Sequence, residues 1–188
     1  MRRSLAAVAR TLGAGRLIVY PTDTLLGLGA RGSDPRAVAR LAEAKGRPSG
    51  QPTSVMVSSV PELEALATLA PAGRRFVRRH LPGPYTVLVR PSPLARSTLA
   101  PRLFGPRGTL GVRVPDHAVA RAIARASGPV TATSANRHGE PPATTVGAAR
   151  RAFGRSVALY VGGGPPPSGR PSTLVDLSGA RPRFLVRG

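Results

Sequence analysis

Short apolar runs of strand type alternate with helix-type segments from one end of this 188-residue chain to the other, and that alternation restricts the fold to the α/β class. Leu17-Ile18-Val19-Tyr20 is the first such run, four residues closed by Pro21, a length and composition that suit a buried strand. The same reading gives strands at 53–58, 85–90, 109–114, 129–133, 156–161, 172–177 and 183–187. Helical spacing predicts helices over 4–12, from Asp34-Pro35 to about Lys45, over 61–69 and 72–81, from Asp116 to Ala126, and from Thr145 to Phe153. Asp34-Pro35 is a capping side chain followed by a residue whose fixed φ and missing N–H suit the first helical turn. The stretches 91–108 and 162–171 are rich in Gly and Pro and read as loops. The expected architecture is a mixed sheet with flanking helices, the last strands pairing locally. Neither loop separates two self-sufficient halves and no repeat is visible. One domain over 1–188 is therefore expected, large enough to bury about 70% of its unfolded surface.

Composition narrows the chemistry. There is no cysteine, which excludes disulfides, thiolate zinc sites, iron–sulfur clusters and thiol nucleophiles. No apolar run approaches the roughly 20 residues that span a bilayer. The N-terminal MRRSLAAVARTLGAGR alternates apolar and basic residues at helical spacing and lacks the apolar core of a secretory signal. It reads as an ordinary first helix, and the expected location is the cytoplasm. Lys plus Arg number 28 against 8 Asp plus Glu, a formal net charge of +20, so the chain attracts polyanions at long range. Only Lys45 breaks the arginine rule for these cations, and Asn136 and Gln51 are equally alone. In a composition that places arginine wherever either cation serves, a retained lysine marks a position to inspect first.

Several familiar motifs fail. Gly27-Leu28-Gly29-Ala30-Arg31-Gly32 matches the glycine string that cradles a dinucleotide, but no acidic residue stands about twenty positions on, since Glu43 is followed by Glu62. The only lysine follows Ala44 rather than glycine, which excludes a Walker A loop. His80, His117 and His138 share no metal-binding spacing and read as surface or loop residues.

The informative residues lie where strands and helices end. Pro21-Thr22-Asp23-Thr24 follows the first strand, and Lys45-Gly46-Arg47-Pro48 ends the second helix ahead of Gln51-Pro52. Pro82-Gly83-Pro84-Tyr85-Thr86 leads into a strand, and Gly111-Val112-Arg113-Val114-Pro115 ends another. Thr133-Ser134-Ala135-Asn136, Pro141-Pro142-Ala143-Thr144 and Ser172-Thr173-Leu174-Val175-Asp176 complete the series. Hydroxyls, an amide, one lysine and several arginines, with almost no carboxylate, form an inventory for binding a polyanion through charge-assisted hydrogen bonds.

PTDTLLGLG, KGRPxxxP, PGPYT, GVRVP, TSANRHGEPPATT and PSTLVDL, in that order, resemble the YrdC-like threonylcarbamoyl-adenylate synthase family, over nearly the whole chain from about Gly15. The resemblance implies a twisted α/β fold around a basic concave cavity. It implies a nucleotidyltransferase that makes L-threonylcarbamoyl-adenylate and pyrophosphate from L-threonine, bicarbonate and ATP. A partner complex would then pass the threonylcarbamoyl group to N6 of adenosine 37 in tRNAs.

Carried over by position, the resemblance assigns Lys45 and Arg47 to the nucleotide phosphates. Gln51, Thr86, Ser134, Asn136, Pro142 (through its backbone) and Arg187 become the remaining ATP contacts. Thr22, Met56, Arg90, Ala132 and Ser172 become threonine-side contacts, with Arg113 bracing the cavity wall. The chain departs from the family pattern at Leu25-Leu26, at Met56 and at Pro142-Ala143, which bears on the threonine side more than the nucleotide side. Chemistry of this kind needs no protein nucleophile, because a threonine carbamate attacks the α-phosphate directly. Mg²⁺ is expected to arrive with the nucleotide, no carboxylate cluster being present to hold it, and Asp23 is the one acidic residue near the site. The chain ends at Gly188 and so resembles the short form of the family. The competing reading is a non-catalytic basic domain for structured RNA (tRNA or rRNA), with Arg74, Arg75, Arg78 and Arg79 forming a basic face on one helix. Lys45, at a helix end leading into a loop, is expected to carry little core packing.

Overall fold

In the computed structural model, which describes residues 2–48, 50–165 and 167–186, helices cover both faces of one mixed sheet. The elements in chain order are α1 (Arg2–Gly13), β1 (Ile18–Tyr20), β2 (Gly27–Gly29), α2 (Pro35–Lys45), β3 (Ser54–Met56), α3 (Val60–Leu66), β4 (Ala67–Thr68), α4 (Pro71–His80), β5 (Tyr85–Pro91), α5 (Pro93–Thr98), β6 (Leu110–Arg113), α6 (Ala118–Ser127), β7 (Val130–Ser134), α7 (Val146–Phe153), β8 (Leu159–Tyr160), β9 (Thr173–Asp176) and β10 (Arg183–Leu185). Strand order is β10-β9-β5-β6-β3-β7-β2-β1-β8, with β4 paired to β5 off that path. The pairs β1–β8, β3–β6 and β5–β9 are parallel, and the others are antiparallel.

The period-2 alternation of a strand explains the double-sided core. On β1, Val19 joins Leu41 of α2 and Ala149 and Phe153 of α7, while Ile18 and Tyr20 face Val8 and Leu12 of α1 and Ile123 of α6. On β3, Val55 packs with Leu63, Phe76, Val87 and Val112 on one side, and Met56 packs with Tyr20 and Val130 on the other. Each such fully buried aliphatic side chain contributes roughly 1.5–3 kcal/mol.

Most sequence-read elements are present, and the differences have physical reasons. The stretch 91–108, expected to be loop, contains α5 and a 3-10 turn at Pro101–Leu103. Pro93 stands at the first helical position behind Ser92, whose hydroxyl accepts from Ala95 N at 3.2 Å, so the proline opens a helix there. The N-cap of α6 is His117 rather than Asp116. His117 is buried, not a surface or loop residue, and its Nδ1 accepts from Ala120 N at 3.4 Å, while Asp116 pairs outward with Arg121. The strand read at 156–161 shrinks to β8, preceded by a 3-10 turn at Gly154–Ser156. The last strands pair locally only in β9–β10, since β9 also runs beside β5 and β8 beside β1. β2 escaped the sequence reading because Gly-Leu-Gly carries no alternation. The first two glycines of the longer string lie within a strand paired antiparallel on both sides, not in a tight turn that opens a helix, which removes the dinucleotide reading of that string.

Those glycines make room for the Tyr20 ring, which lies fully buried with its hydroxyl donating to Thr131 O at 2.8 Å. A Cβ on Gly27 would stand 2.5 Å from Tyr20 Cζ. Gly27→Ala is expected to cost about 1–3 kcal/mol through overpacking. Tyr20→Phe, which removes one hydrogen bond, should cost about 1 kcal/mol. Urea midpoints at unchanged slope read both. An alanine variant as stable as the parent would show that the ring is not wedged there.

Candidate active site

A cavity of about 220 Å³ opens among the strand ends that carry the motifs. Tyr20 ends β1, Gly27 begins β2, Ser54 begins β3, Thr86 lies early in β5, Arg113 ends β6 and Ser134 ends β7, and all of them line it. Two arginines, Arg47 and Arg113, and nine hydroxyl-bearing residues are among its described lining residues, and none of these is acidic. Such a wall is electropositive and rich in hydrogen-bond donors, which suits phosphate and carboxylate oxygens.

The Pro21–Leu26 turn between β1 and β2 is held by its own hydroxyls. Thr22 Oγ1 donates to Leu25 O at 2.6 Å and accepts from the amides of Thr24 and Leu25. Arg113 reaches across from β6, its Nη2 donating to Asp23 Oδ1 at 3.1 Å and to Thr24 Oγ1 at 2.8 Å. Both partners of this ion pair are nearly buried, with side-chain exposures of 10% and 13%. Asp23 is therefore the counter-ion that fixes Arg113 at the cavity wall. On β5, the strand beside β6, Thr86 Oγ1 lies 2.7 Å from Ser172 Oγ.

Arg47 is placed by the end of α2. Gly46 adopts φ +62°, and the amides of Gly46 and Arg47 turn back to Glu43 O and Ala42 O at 2.9 Å each, closing the helix with a left-handed cap. The guanidinium donates to Pro52 O at 2.9 Å and reaches the hydroxyls of Thr53 and Thr133 at 3.4 Å, and its buried Nε has no hydrogen-bond partner. Burial, followed by repulsion from Arg102, lowers its pKa from the ordinary arginine value. An anion in the cavity would relieve both effects.

Lys45 differs from the sequence expectation. It is the last residue of α2 and only 5% exposed, not a loop residue with little packing. Its Nζ donates to Ser134 O and Asn136 O, each at 2.6 Å, and its own carbonyl accepts from His138 N at 2.7 Å. Asn136 in turn donates to Arg137 O at 2.8 Å and Glu140 O at 2.7 Å. Neither Lys45 nor Asn136 is in the cavity lining. Lys45 stands behind the loop that carries Ser134 and Asn136.

The cavity thus gathers Thr22, Arg47, Thr86, Arg113, Ala132, Ser134, Pro142 and Ser172, and leaves out Gln51, Met56 and Arg90. Met56 is 1% exposed and packs with Tyr20 and Val130, because its position on β3 points it to the α1/α6 side. Arg90 is exposed, opposite Thr68 of β4 and about 13 Å along β5 from Thr86 at about 3.3 Å per residue. Arg187 lies outside the described residues. Sequence reading missed Tyr20, Ser54 and Thr133 as lining residues. Their signal was adjacency to a motif at a strand end. On α4, the expected basic face is partly neutralised, since Arg78 and Arg74 pair with Glu64. Among the described residues no group of three or more His, Asp or Glu could hold a metal ion, and no helix is long and apolar enough to cross a membrane.

Burial first, then the neighbouring Arg47 charge, lowers the Lys45 amine from 10.5 to about 8. The folded chain therefore releases this proton more readily than the unfolded one. The stability cost of holding the charge is complete below the folded value and vanishes as pH rises through the unfolded value. For a triphosphate in the cavity the sign reverses, because the attracting charge is present below about pH 8 and lost above it. Nucleoside triphosphate affinity, read by calorimetric titration, should hold level up to about pH 7 and weaken by about pH 9, and Lys45→Arg should flatten the profile. A parent profile level to about pH 9 would show that the Lys45 charge does not reach the bound anion.

A model of the Sua5/YciO/YrdC family, described as "Telomere recombination", matches residues 10–188. The chain belongs to the Sua5/YciO/YrdC family. A threonylcarbamoyl-AMP synthase of Chromohalobacter salexigens is 38% identical over 177 residues, covering 92% of each chain. Among solved structures, Escherichia coli YciO matches with a TM-score of 0.88 and 26% identity, over 100% of this chain and 90% of that one. Pyrococcus abyssi Sua5 complexed with L-threonine matches with a TM-score of 0.89 and 32% identity, over 98% of this chain. This chain spans about half of that Sua5 chain, 54% of its length. The α/β fold with a mixed sheet and flanking helices, expected from the strand–helix alternation and the YrdC-like resemblance, is the one these structures share.

Proposed function

We propose that this chain, acting as one domain, joins L-threonine, bicarbonate and ATP into L-threonylcarbamoyl-adenylate with release of pyrophosphate. The observation that carries the reading is the cavity itself: PTDT, KGRP, GVRVP, SAN and PST, far apart in sequence, converge on one electropositive wall with two guanidiniums and no carboxylate among its described lining residues. Relatives named threonylcarbamoyl-AMP synthase and a Sua5 structure that holds L-threonine support it.

In this reading Arg113, rigid against Asp23 and Thr24, faces the threonine carboxylate, with Thr22, Ala132 and Ser172 around the amino acid. Arg47 faces the phosphates, with Thr86, Ser134 and the Pro142 backbone completing the nucleotide side. The threonine amine and bicarbonate give a carbamate and water. A carbamate oxygen then bonds to the α-phosphorus as the bond to the pyrophosphate oxygen breaks. No side chain forms a bond. The chain's share is to hold the reactants in line and to set fixed positive charge against the phosphate oxygens as negative charge builds. Mg²⁺ enters with the triphosphate, where it would neutralise phosphate charge.

A mixed carbamic–phosphoric anhydride is activated for transfer to an amine, and the family resemblance names the consumer as a threonylcarbamoyl-transferase complex acting on tRNA adenosine, which it would meet in the cytoplasm. Pyrophosphate release measured with each reactant omitted in turn tests the reading. Release should require threonine and bicarbonate together. Release from ATP alone at the full rate would overturn it.

A further inference from the structure

We infer that Lys45 is a positioning residue, a clamp that holds the loop 134–138 from behind and so sets the phosphate-facing wall without entering the cavity. Its functional consequence rests on the proposed nucleotide site, whereas the clamp is a property of the ligand-free chain. Three contacts meet in this one residue: the ammonium on Ser134 O and Asn136 O at 2.6 Å each, and the carbonyl of Lys45 on His138 N at 2.7 Å. Helix α2 and its Gly46 cap anchor the clamp, and Asn136 extends it to Arg137 and Glu140. The loop is tied at its start as well, since Ala135 N donates to Leu26 O at 2.8 Å.

The electrostatics explain what the clamp does for an anion. Carbonyl oxygens are the negative ends of peptide dipoles. Drawn onto a buried ammonium, those of Ser134 and Asn136 are kept from turning toward the wall that Ser134 presents to the cavity. Without the cation, two acceptors would need new donors. The geometry also accounts for the retained lysine. Two carbonyls converge on a single atom, which a compact ammonium on a long stem satisfies and a planar guanidinium fork does not.

Hydrogen exchange of the ligand-free protein separates this role from direct contact with phosphate. In Lys45→Met, the amides of 135–138 should exchange at least about tenfold faster, with β5 and α6 unchanged, and affinity for ATP alone should fall about tenfold. That pairing supports the clamp. Unchanged loop exchange overturns it whatever happens to ATP affinity, because Lys45 then acts as a ligand or not at all. Faster exchange with unchanged ATP affinity overturns the positioning role. Should Lys45→Met not fold, the parent protein decides. Lysine-selective ¹⁵N labelling gives one side-chain signal, whose ammonium protons should exchange slowly with solvent in the absence of nucleotide. Fast exchange overturns the clamp. Failure of the parent protein to bind ATP would sink the proposed function and leave the exchange result standing.

Discussion

Arg113→Ala should lose activity at least a hundredfold and should also be the least stable single variant of the cavity wall. Both effects have one origin. Arg113 Nη2 is the partner of the Asp23 carboxylate, whose second oxygen, Oδ2, is buried without a hydrogen bond. Truncating the arginine leaves that carboxylate nearly buried and uncompensated, a situation that costs about 3–5 kcal/mol. Removing the charge on both sides, in Asp23→Asn with Arg113→Met, should restore most of the stability and none of the activity. Urea unfolding reads the first effect, and the threonine KM reads the second, which should rise more than that for ATP. An Arg113→Ala enzyme with the parent threonine KM would place the amino acid elsewhere.

Arg47→Ala should separate function from stability in the opposite way. Its protein contacts are one carbonyl at 2.9 Å and two hydroxyls at 3.4 Å, so the fold should lose no more than about 1 kcal/mol. A guanidinium that donates to phosphate contributes roughly 1.5–3 kcal/mol, which corresponds to a tenfold to hundredfold loss in ATP affinity. More is lost in kcat if the contact tightens as charge develops at the phosphorus. Arg47→Lys keeps the charge and loses the fork, and should fall between the two. ATP affinity unchanged in Arg47→Ala would remove the phosphates from this wall.

Much of this was legible in the sequence because the chemistry sits in short motifs at strand and helix ends. PTDT, KGRP and SAN name the turns that bring Thr22, Arg47 and Ser134 together, and the cap chemistry of Asp34-Pro35 and Thr145 placed α2 and α7 correctly. What escaped was decided by three-dimensional packing. Nothing in Arg90 says that its stretch of β5 runs past the cavity to meet β4, and nothing in Met56 says that its side chain turns to the α1 face. Lys45 stands out in the sequence as the lone lysine, but its burial and its grip on two carbonyls 89 and 91 residues away depend on the three-dimensional packing of α2. The Asp23–Arg113 pair spans 90 residues and left no local trace either.

The most direct measurement follows the carbon of bicarbonate. The purified chain is incubated with ¹⁴C-bicarbonate, L-threonine and ATP, and the products are separated by chromatography. The label should appear in a species that carries both threonine and AMP, in step with pyrophosphate, and only when all three reactants are present. Pyrophosphate formed without labelled carbon in an adenylate, or no adenylate at all with an intact fold, would contradict the assignment of this cavity to threonylcarbamoyl-adenylate synthesis.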